Sequence, residues 1–188
     1  MARPREFDID DAVTRAMAVF WEHGYDATTT DQLLDGMRLT RGSLYKAFGD
    51  KKALFLRALD LYEAEEVEKA VEALSQTETD GAARIISLFS SIVTAVQSGD
   101  RMGCLLCSTL SGFSANDPEI SAKVLAATAR LHEGFDTALK DSQAADFPAS
   151  YARLLVTQYV GLRVLSRTGV PDDVIIESVD GIEALLRR

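Results

Sequence analysis

Apolar residues recur at three- and four-residue spacing along the chain, and no stretch alternates apolar and polar positions over a strand's length. This pattern predicts an all-α protein. An amphipathic helix runs through the segment that opens Phe7-Asp8-Ile9. Thr29 followed by Gln32 is a capping-box pattern, so a second helix starts near Thr30 with Leu33, Leu34 and Met37 facing inward. Arg38 and Leu39 form a break. Thr40 caps a third, short helix from Arg41 to about Phe48, whose buried side is the pair Leu44 and Phe48, and Asp50 caps the next. That fourth helix is expected to run from Lys51 to Ser75, with the acidic stretch Glu63 to Glu68 as a solvated face. Beyond a break at Thr77 to Gly81, helices are expected over about Ala82–Ser98, through Met102-Gly103-Cys104-Leu105-Leu106-Cys107 and onward to Ser114, and from Pro118 to about Asp141. Two more follow, over about Phe147–Arg167 and Pro171–Arg187, with Pro171 suited to a first helical position.

The polar residues of the first fifty positions carry the most specific chemistry. Two short helices around a tight break, the second exposing Arg41, Ser43, Tyr45 and Lys46, are what a helix-turn-helix needs to lay one helix in the major groove. Gly42 and Ser43 are small and let the backbone approach DNA. Lys51 and Lys52 sit in a helix's first turn, where cations oppose the macrodipole, so phosphates explain the pair better than helix stability does. Taken singly, Lys52 and Arg57 read as solvated surface, and Asp31 and Asp35 are placed away from DNA. Gly42 also lowers helix propensity by roughly 1 kcal/mol relative to alanine, which predicts that the third helix firms up on DNA.

Residues 7–60 resemble the DNA-binding domain of the tetracycline-repressor (TetR) family of bacterial regulators. The resemblance rests on Phe7 to Leu33, with its amphipathic helix, Gly24-Tyr25 and the threonines 28–30, and on Leu39 to Phe55. It implies an N-terminal three-helix DNA-binding domain, residues 1–50, followed by a helical regulatory and dimerisation bundle, residues 51–188. It also implies that Thr40, Arg41, Gly42, Ser43 and Lys46 face base edges or nearby backbone, while Thr30, Tyr45 and Lys51 contact phosphates. The side chains suit those roles: Arg41 can pair bidentately with guanine O6 and N7, and Tyr45 and Lys51 offer a hydroxyl and a point charge to backbone oxygens.

The formal charge of −9 looks wrong for a DNA binder until it is divided. Residues 1–62 carry 9 Lys/Arg against 10 Asp/Glu, whereas residues 63–188 carry 11 against 19. Within residues 28–57 the balance is 6 against 3, a net of +3. Over a Debye length of about 8 Å, DNA meets that patch and Arg3 and Arg5 of an N-terminal arm. Affinity should therefore fall steeply with salt. With 47% hydrophobic residues, no membrane-spanning apolar run and no signal-peptide segment in Met1 to Asp8, the chain is expected to be a folded cytoplasmic protein without membrane association. No glycine-rich phosphate loop or nucleophile–histidine spacing suggests an enzyme, and no cofactor or metal site is expected.

In the C-terminal helix pair, Leu155, Tyr159 and Leu162 on the first and Val174, Ile175, Val179 and Ile182 on the second form apolar faces. They fit a two-fold dimer interface of four helices, as the resemblance implies, or packing on the chain's own core. A homodimer would read a palindromic operator in double-stranded DNA. Phe89, Leu106, Leu110, Phe113, His132 and Phe135 are inward candidates for a pocket. The resemblance implies a small hydrophobic or amphipathic effector that releases a repressor from its operator. Cys104 and Cys107 form a C-x-x-C. A thioredoxin-like site lacks its α/β context, and a metal site finds only His23 and His132 as further soft ligands. Two readings stand: a thiol sensor, with Cys104 in a helix's first turn beside Arg101, or two small buried hydrophobes. An all-helical dimeric interaction protein without DNA binding is the remaining alternative.

Overall fold

The computed structural model describes residues 7–143 and 147–187; the expected arm residues Arg3 and Arg5 lie outside them. Ten α-helices follow in order among the described residues, and none is long and apolar enough to cross a membrane. Helix α1 (Ile9–His23) begins at Asp8, whose carboxylate accepts from the Asp10 and Asp11 amides, and ends at Gly24 with φ 77°. Helix α2 (Thr30–Met37) carries the expected capping box between Thr29 and Gln32. Helix α3 (Arg41–Phe48) is capped by Thr40 and α4 (Lys51–Tyr62) by Asp50. Each of these caps satisfies first-turn amides that would otherwise go unbonded. Helix α3 is regular over its whole length, Gly42 included.

Helix α4 does not simply continue to Ser75. A π-turn at Glu63–Val67 separates it from α5 (Glu68–Ser75). Arg130 of α8 holds Glu63 at 2.9 Å on one side of that turn and Glu68 on the other. The acidic run is therefore not merely a solvated face: an arginine 62 to 67 positions away, invisible to local pattern, takes up two of its carboxylates.

The remaining helices are α6 (Gly81–Gln97), α7 (Leu105–Leu110), α8 (Pro118–Lys140), α9 (Ser150–Leu165) and α10 (Asp172–Leu186). Pro171 takes the cap position of α10 and not its first turn. The helix expected from Met102 to Ser114 is confined to α7, followed by a 3-10 turn at Phe113–Asn116. Gly103, at φ 64°, blocks helix on the N-terminal side. A Cβ there would lie 2.6 Å from the Arg163 carbonyl oxygen, so the chain just before Cys104 is pressed directly against α9.

Two packed regions share one hydrophobic core. In the first, α1 lies across α4 and α2, with Phe20, Tyr25 and Phe55 in ring contact at 4.5 to 6.1 Å. In the second, α8 is the central post, contacting α5, α6 and α9, while α10 lies on α6. Phe89 and Phe135 stack at 5.9 Å there and Tyr159 meets both edge-on. Fully buried aromatic and leucine side chains contribute roughly 1.5–3 kcal/mol each by removal from water.

Candidate nucleic-acid interface

The helix-turn-helix is closed by a single unusual residue. Arg38 adopts φ 55° and ψ 43°, the only positive φ outside glycine among the described residues, and its amide and that of Leu39 bond back to Asp35 and Leu34. That left-handed residue turns the chain between α2 and α3. Leu33, Met37, Leu44 and Phe48 are buried on the inner side. The outer side of α3 exposes Arg41, Gly42, Tyr45 and Lys46, with Ser43 and, on α2, Thr30 half-buried. The expected reading residues thus share one face with Thr40, whose hydroxyl lies 3.0 Å from that of Ser43.

Three charged residues refine this picture. Arg41 Nη2 donates to Asp31 Oδ1 at 2.9 Å, so Asp31 adjoins the candidate reading face and is not turned away from it. Lys51 Nζ sits 4.5 Å from the centroid of the Tyr25 ring, and burial lowers its pKa against the opposing pull of Asp26. Lys52 is not available to phosphates: its Nζ lies 2.8 Å from Asp117 and also meets Glu119, both at the start of α8. Arg57 remains exposed, its guanidinium over the Phe48 ring at 5.5 Å.

The Lys52 pairing belongs to a larger join that sequence reasoning missed. Asp26, in the turn after α1, accepts from the amide and the hydroxyl of Ser114, each at 3.2 Å. The Trp21 indole N–H donates to the Met102 carbonyl at 3.1 Å. Arg167, just past the end of α9, donates to the carbonyls of Trp21 at 2.8 Å, Glu22 at 3.0 Å and Met102. Residues 102–119 therefore grip the helix-turn-helix at both the end of α1 and the start of α4. A cavity of about 420 Å³ lies alongside, lined by Glu22, Gly99, Asp100, Arg101, Met102 and Arg167.

Cys104 and Cys107 are both free and buried within this segment. Cys104 occupies the cap position of α7 and is not in its first turn. Arg101 is engaged elsewhere, with the Val170 carbonyl and Asp172. The cation at the thiols is Arg163, which donates to the Gly103 carbonyl and leaves its buried Nε without a partner. A hydrogen bond from Cys107, then one from Tyr62 and the charge of Arg163, pull the Cys104 thiol down to about 6 against its burial. Cys107 is pushed up by the same bond and by its own burial.

The other expectations fare unevenly. Phe89, Leu106 and Phe135 are buried, Leu110 packs on the core and His132 is half-buried. Phe113 is 87% exposed on the 3-10 turn and cannot line an interior pocket. Cavities of 210 to 420 Å³ are lined by other residues, because the stacked rings of Phe89, Phe135 and Tyr159 fill the space between α6, α8 and α9. Leu155, Tyr159, Leu162, Ile175, Val179 and Ile182 face the chain's own core; of the expected dimer residues only Val174 is exposed. The outward side of the pair instead carries Leu154, Gly161 and Leu165 on α9 and Val174 and Gly181 on α10. A helix apolar on both sides cannot announce which side is outer.

Comparison with known proteins places this geometry. Residues 13–58 match the family of bacterial regulatory proteins of the tetR type. The HTH-type transcriptional repressor ComR of Escherichia coli is 34% identical over 118 residues, 61% of this chain and 56% of ComR. The match thus spans little more than half the length of that relative. The HTH-type transcriptional regulator YezE of Bacillus subtilis, uncharacterized, is 30% identical over 138 residues, 72% of this chain and 70% of YezE. Among solved structures, a cysteine mutant of the TetR-family regulator CifR complexed with 26-base-pair operator DNA superposes with a TM-score of 0.82 at 27% identity, covering 97% of this chain and 98% of CifR. The chain belongs to the TetR family of bacterial regulatory proteins.

Proposed function

We propose that this protein is a cytoplasmic, homodimeric transcriptional repressor that binds a palindromic operator in double-stranded DNA and leaves it when a small hydrophobic or amphipathic effector binds. The observation that carries the reading is the single outward face formed by Arg41, Gly42, Tyr45 and Lys46 on a fully capped α3, flanked by Thr30 and Lys51. No other role explains that set together. Arg41 reads guanine, Thr40, Gly42, Ser43 and Lys46 lie along the base edges, and Thr30, Tyr45 and Lys51 hold phosphates. The similarity to ComR and to CifR on its operator supports the DNA partner and the repressing sign.

The division of labour falls at residue 50, with α4 shared as the rod that passes movement between the two regions. Two copies meet through the outer faces of α9 and α10, where Gly161 and Gly181 have open space around them and let helices approach closely. The effector enters between α6, α8 and α9, parting the Phe89–Phe135 stack. It must bind the DNA-incompetent arrangement more tightly to release the operator. Selection of bound duplexes from a random pool tests the reading: one palindromic consensus supports it, and recovery of no consensus at moderate salt overturns it.

A further inference from the structure

The helix-turn-helix and the thiol pair are joined by an unbroken run of side-chain contacts. Tyr62, buried at the end of α4, faces the equally buried Cys104, and each shifts the pKa of the other. The ring of Tyr62 meets Trp21 of α1 edge-on, centroids 4.9 Å apart and planes at 90°. Trp21 then donates to the carbonyl of Met102, two residues before Cys104. Arg163 closes the ring from α9, holding Gly103 while its Nε stays buried and unpartnered. Apart from those of Arg167, the grips on α1 and α4 described above start from the 102–119 segment, near whose beginning the two thiols lie. Cys104 at the cap and Cys107 three residues on stand in the relation by which a cap side chain reaches the third helical residue. Cys104 is extended at the cap and only three residues separate the pair, so closing the disulfide requires bringing the Cβ atoms to about 3.5–4.5 Å.

We propose that Cys104 and Cys107 form a two-thiol oxidation switch, in which a small hydroperoxide converts them to an intrachain disulfide that disengages Tyr62 and Arg163 and loosens the hold on the helix-turn-helix. Cys104 attacks first. Its sulfur takes the distal oxygen of the peroxide, an S–O bond forms as the O–O bond breaks, and the departing oxygen leaves as water or alcohol after protonation. Cys107 then attacks the sulfenic sulfur, an S–S bond forms and water departs with the Cys107 proton. Two thiols lose two electrons and the peroxide gains two. Burial selects the oxidant: at 5% and 3% exposure the sulfurs admit a molecule the size of hydrogen peroxide far more readily than a bulky electrophile. Once the disulfide forms, Tyr62 and Arg163 lose the sulfur they faced, and Met102 and Gly103 shift with the new bond. The contact with Trp21 moves with them.

The effect on DNA rests on the proposed function, whereas the chemistry and the movement at Trp21 do not, and the test separates them. The reduced full-length protein is treated with hydrogen peroxide and followed by intact mass, by thiol titration, by operator-duplex binding and by emission of Trp21, the chain's single tryptophan. Expected are a loss of two hydrogens, loss of both titratable thiols, a shift in Trp21 emission and release of the duplex, all restored by dithiothreitol. Cys107→Ser should stop at the sulfenic acid and show none of the restorable two-hydrogen loss. Tyr62→Phe, which keeps the ring, should react about tenfold more slowly per unit of pKa rise when assayed near pH 5, below the midpoint, and less than about twofold more slowly at pH 7, where a thiol near 6 is already mostly ionised. No disulfide, or a disulfide that leaves Trp21 emission unchanged, overturns the switch whether or not DNA binds. If the reduced protein binds its duplex and the oxidised form binds equally well or better, the regulatory half is overturned. If the reduced form binds no duplex, the proposed function fails while the mass and emission still judge the switch.

Discussion

The carboxylate of Asp117 serves two helices at once: Oδ1 caps α8 by accepting from the Glu119 and Ile120 amides, and Oδ2 lies 2.8 Å from the ammonium of Lys52 in the first turn of α4. Lys51 and Lys52, adjacent in sequence, therefore face different partners. This gives a discriminating measurement. Lys51→Ala should weaken operator binding and flatten the slope of log affinity against log salt by about one, since one phosphate contact is lost. Lys52→Ala should leave that slope as it is. Its cost appears as a small loss of thermal stability, because the pair is exposed to solvent and salt, and as weaker coupling between effector and DNA. Equal slopes for parent and Lys51→Ala would remove Lys51 from the interface.

Acid should open the same join. The hydrogen bond from Lys52 holds the Asp117 carboxyl below its ordinary value. A group depressed in the folded state contributes stability above its unfolded pKa, near 4, and loses it as pH falls through the lowered folded value. The contribution is thus complete at neutral pH and disappears only in acid. In thermal melts between pH 7 and pH 3, Asp117→Asn should lose less stability on acidification than the parent, and identical pH profiles would contradict the assignment.

Asp31 gives a third outcome. It holds Arg41 at 2.9 Å and places a negative charge beside the candidate reading face. Arg41→Ala should cost about 1–3 kcal/mol in operator binding, with discrimination lost at one guanine. Asp31→Asn should act in the opposite direction, raising affinity for random duplex more than for operator, because a repulsion felt by every DNA is removed. Competition binding measures both. A fall in random-duplex affinity for Asp31→Asn would show instead that the carboxylate orients Arg41.

The thiols predict a pH profile. With the Cys104 pKa drawn to about 6 by Cys107, Tyr62 and Arg163, and Cys107 raised, Cys104 should react with hydrogen peroxide over the whole neutral range and Cys107 by itself scarcely at all. The faster rate should rise through pH 6 and level off near 7, whereas an ordinary thiol near 8.5 would still be climbing. Tyr159 also faces this cluster, but burial raises its pKa to about 12, so it stays neutral throughout. Arg163→Gln should move the midpoint upward. A profile centred near 8.5 in the parent would mean that burial outweighs the three partners.

What the sequence discloses and what it hides divide along contact distance. The caps at Thr29, Thr40 and Asp50 act within three residues, so a local reading finds them and with them the helix-turn-helix. Lys52 with Asp117 and Tyr62 with Cys104 are set by packing between distant segments, and no spacing rule connects them. The π-turn at Glu63–Val67 and the short α7 follow from partners equally remote, Arg130 and the face of α9. Arg163 looks like any helix-surface arginine until α7 lies against it.

The C-terminal helices supply the last test, since they separate folding from association. Leu155 is fully buried and Leu154, its neighbour, is 40% exposed. Leu155→Ala should therefore cost about 2–5 kcal/mol of stability by leaving a cavity in the α8–α9 core. Leu154→Glu removes nothing from that core, so the monomer should keep its fold. If the outer face of α9 and α10 joins two copies, a charge at Leu154 combined with Val174→Glu buries unpaired carboxylates at the seam and should yield monomers. Those monomers would still be helical but would bind operator far more weakly, because one helix-turn-helix reads only a half-site. Sedimentation of the double variant decides the matter: a dimer that survives both substitutions would place the interface elsewhere on the bundle.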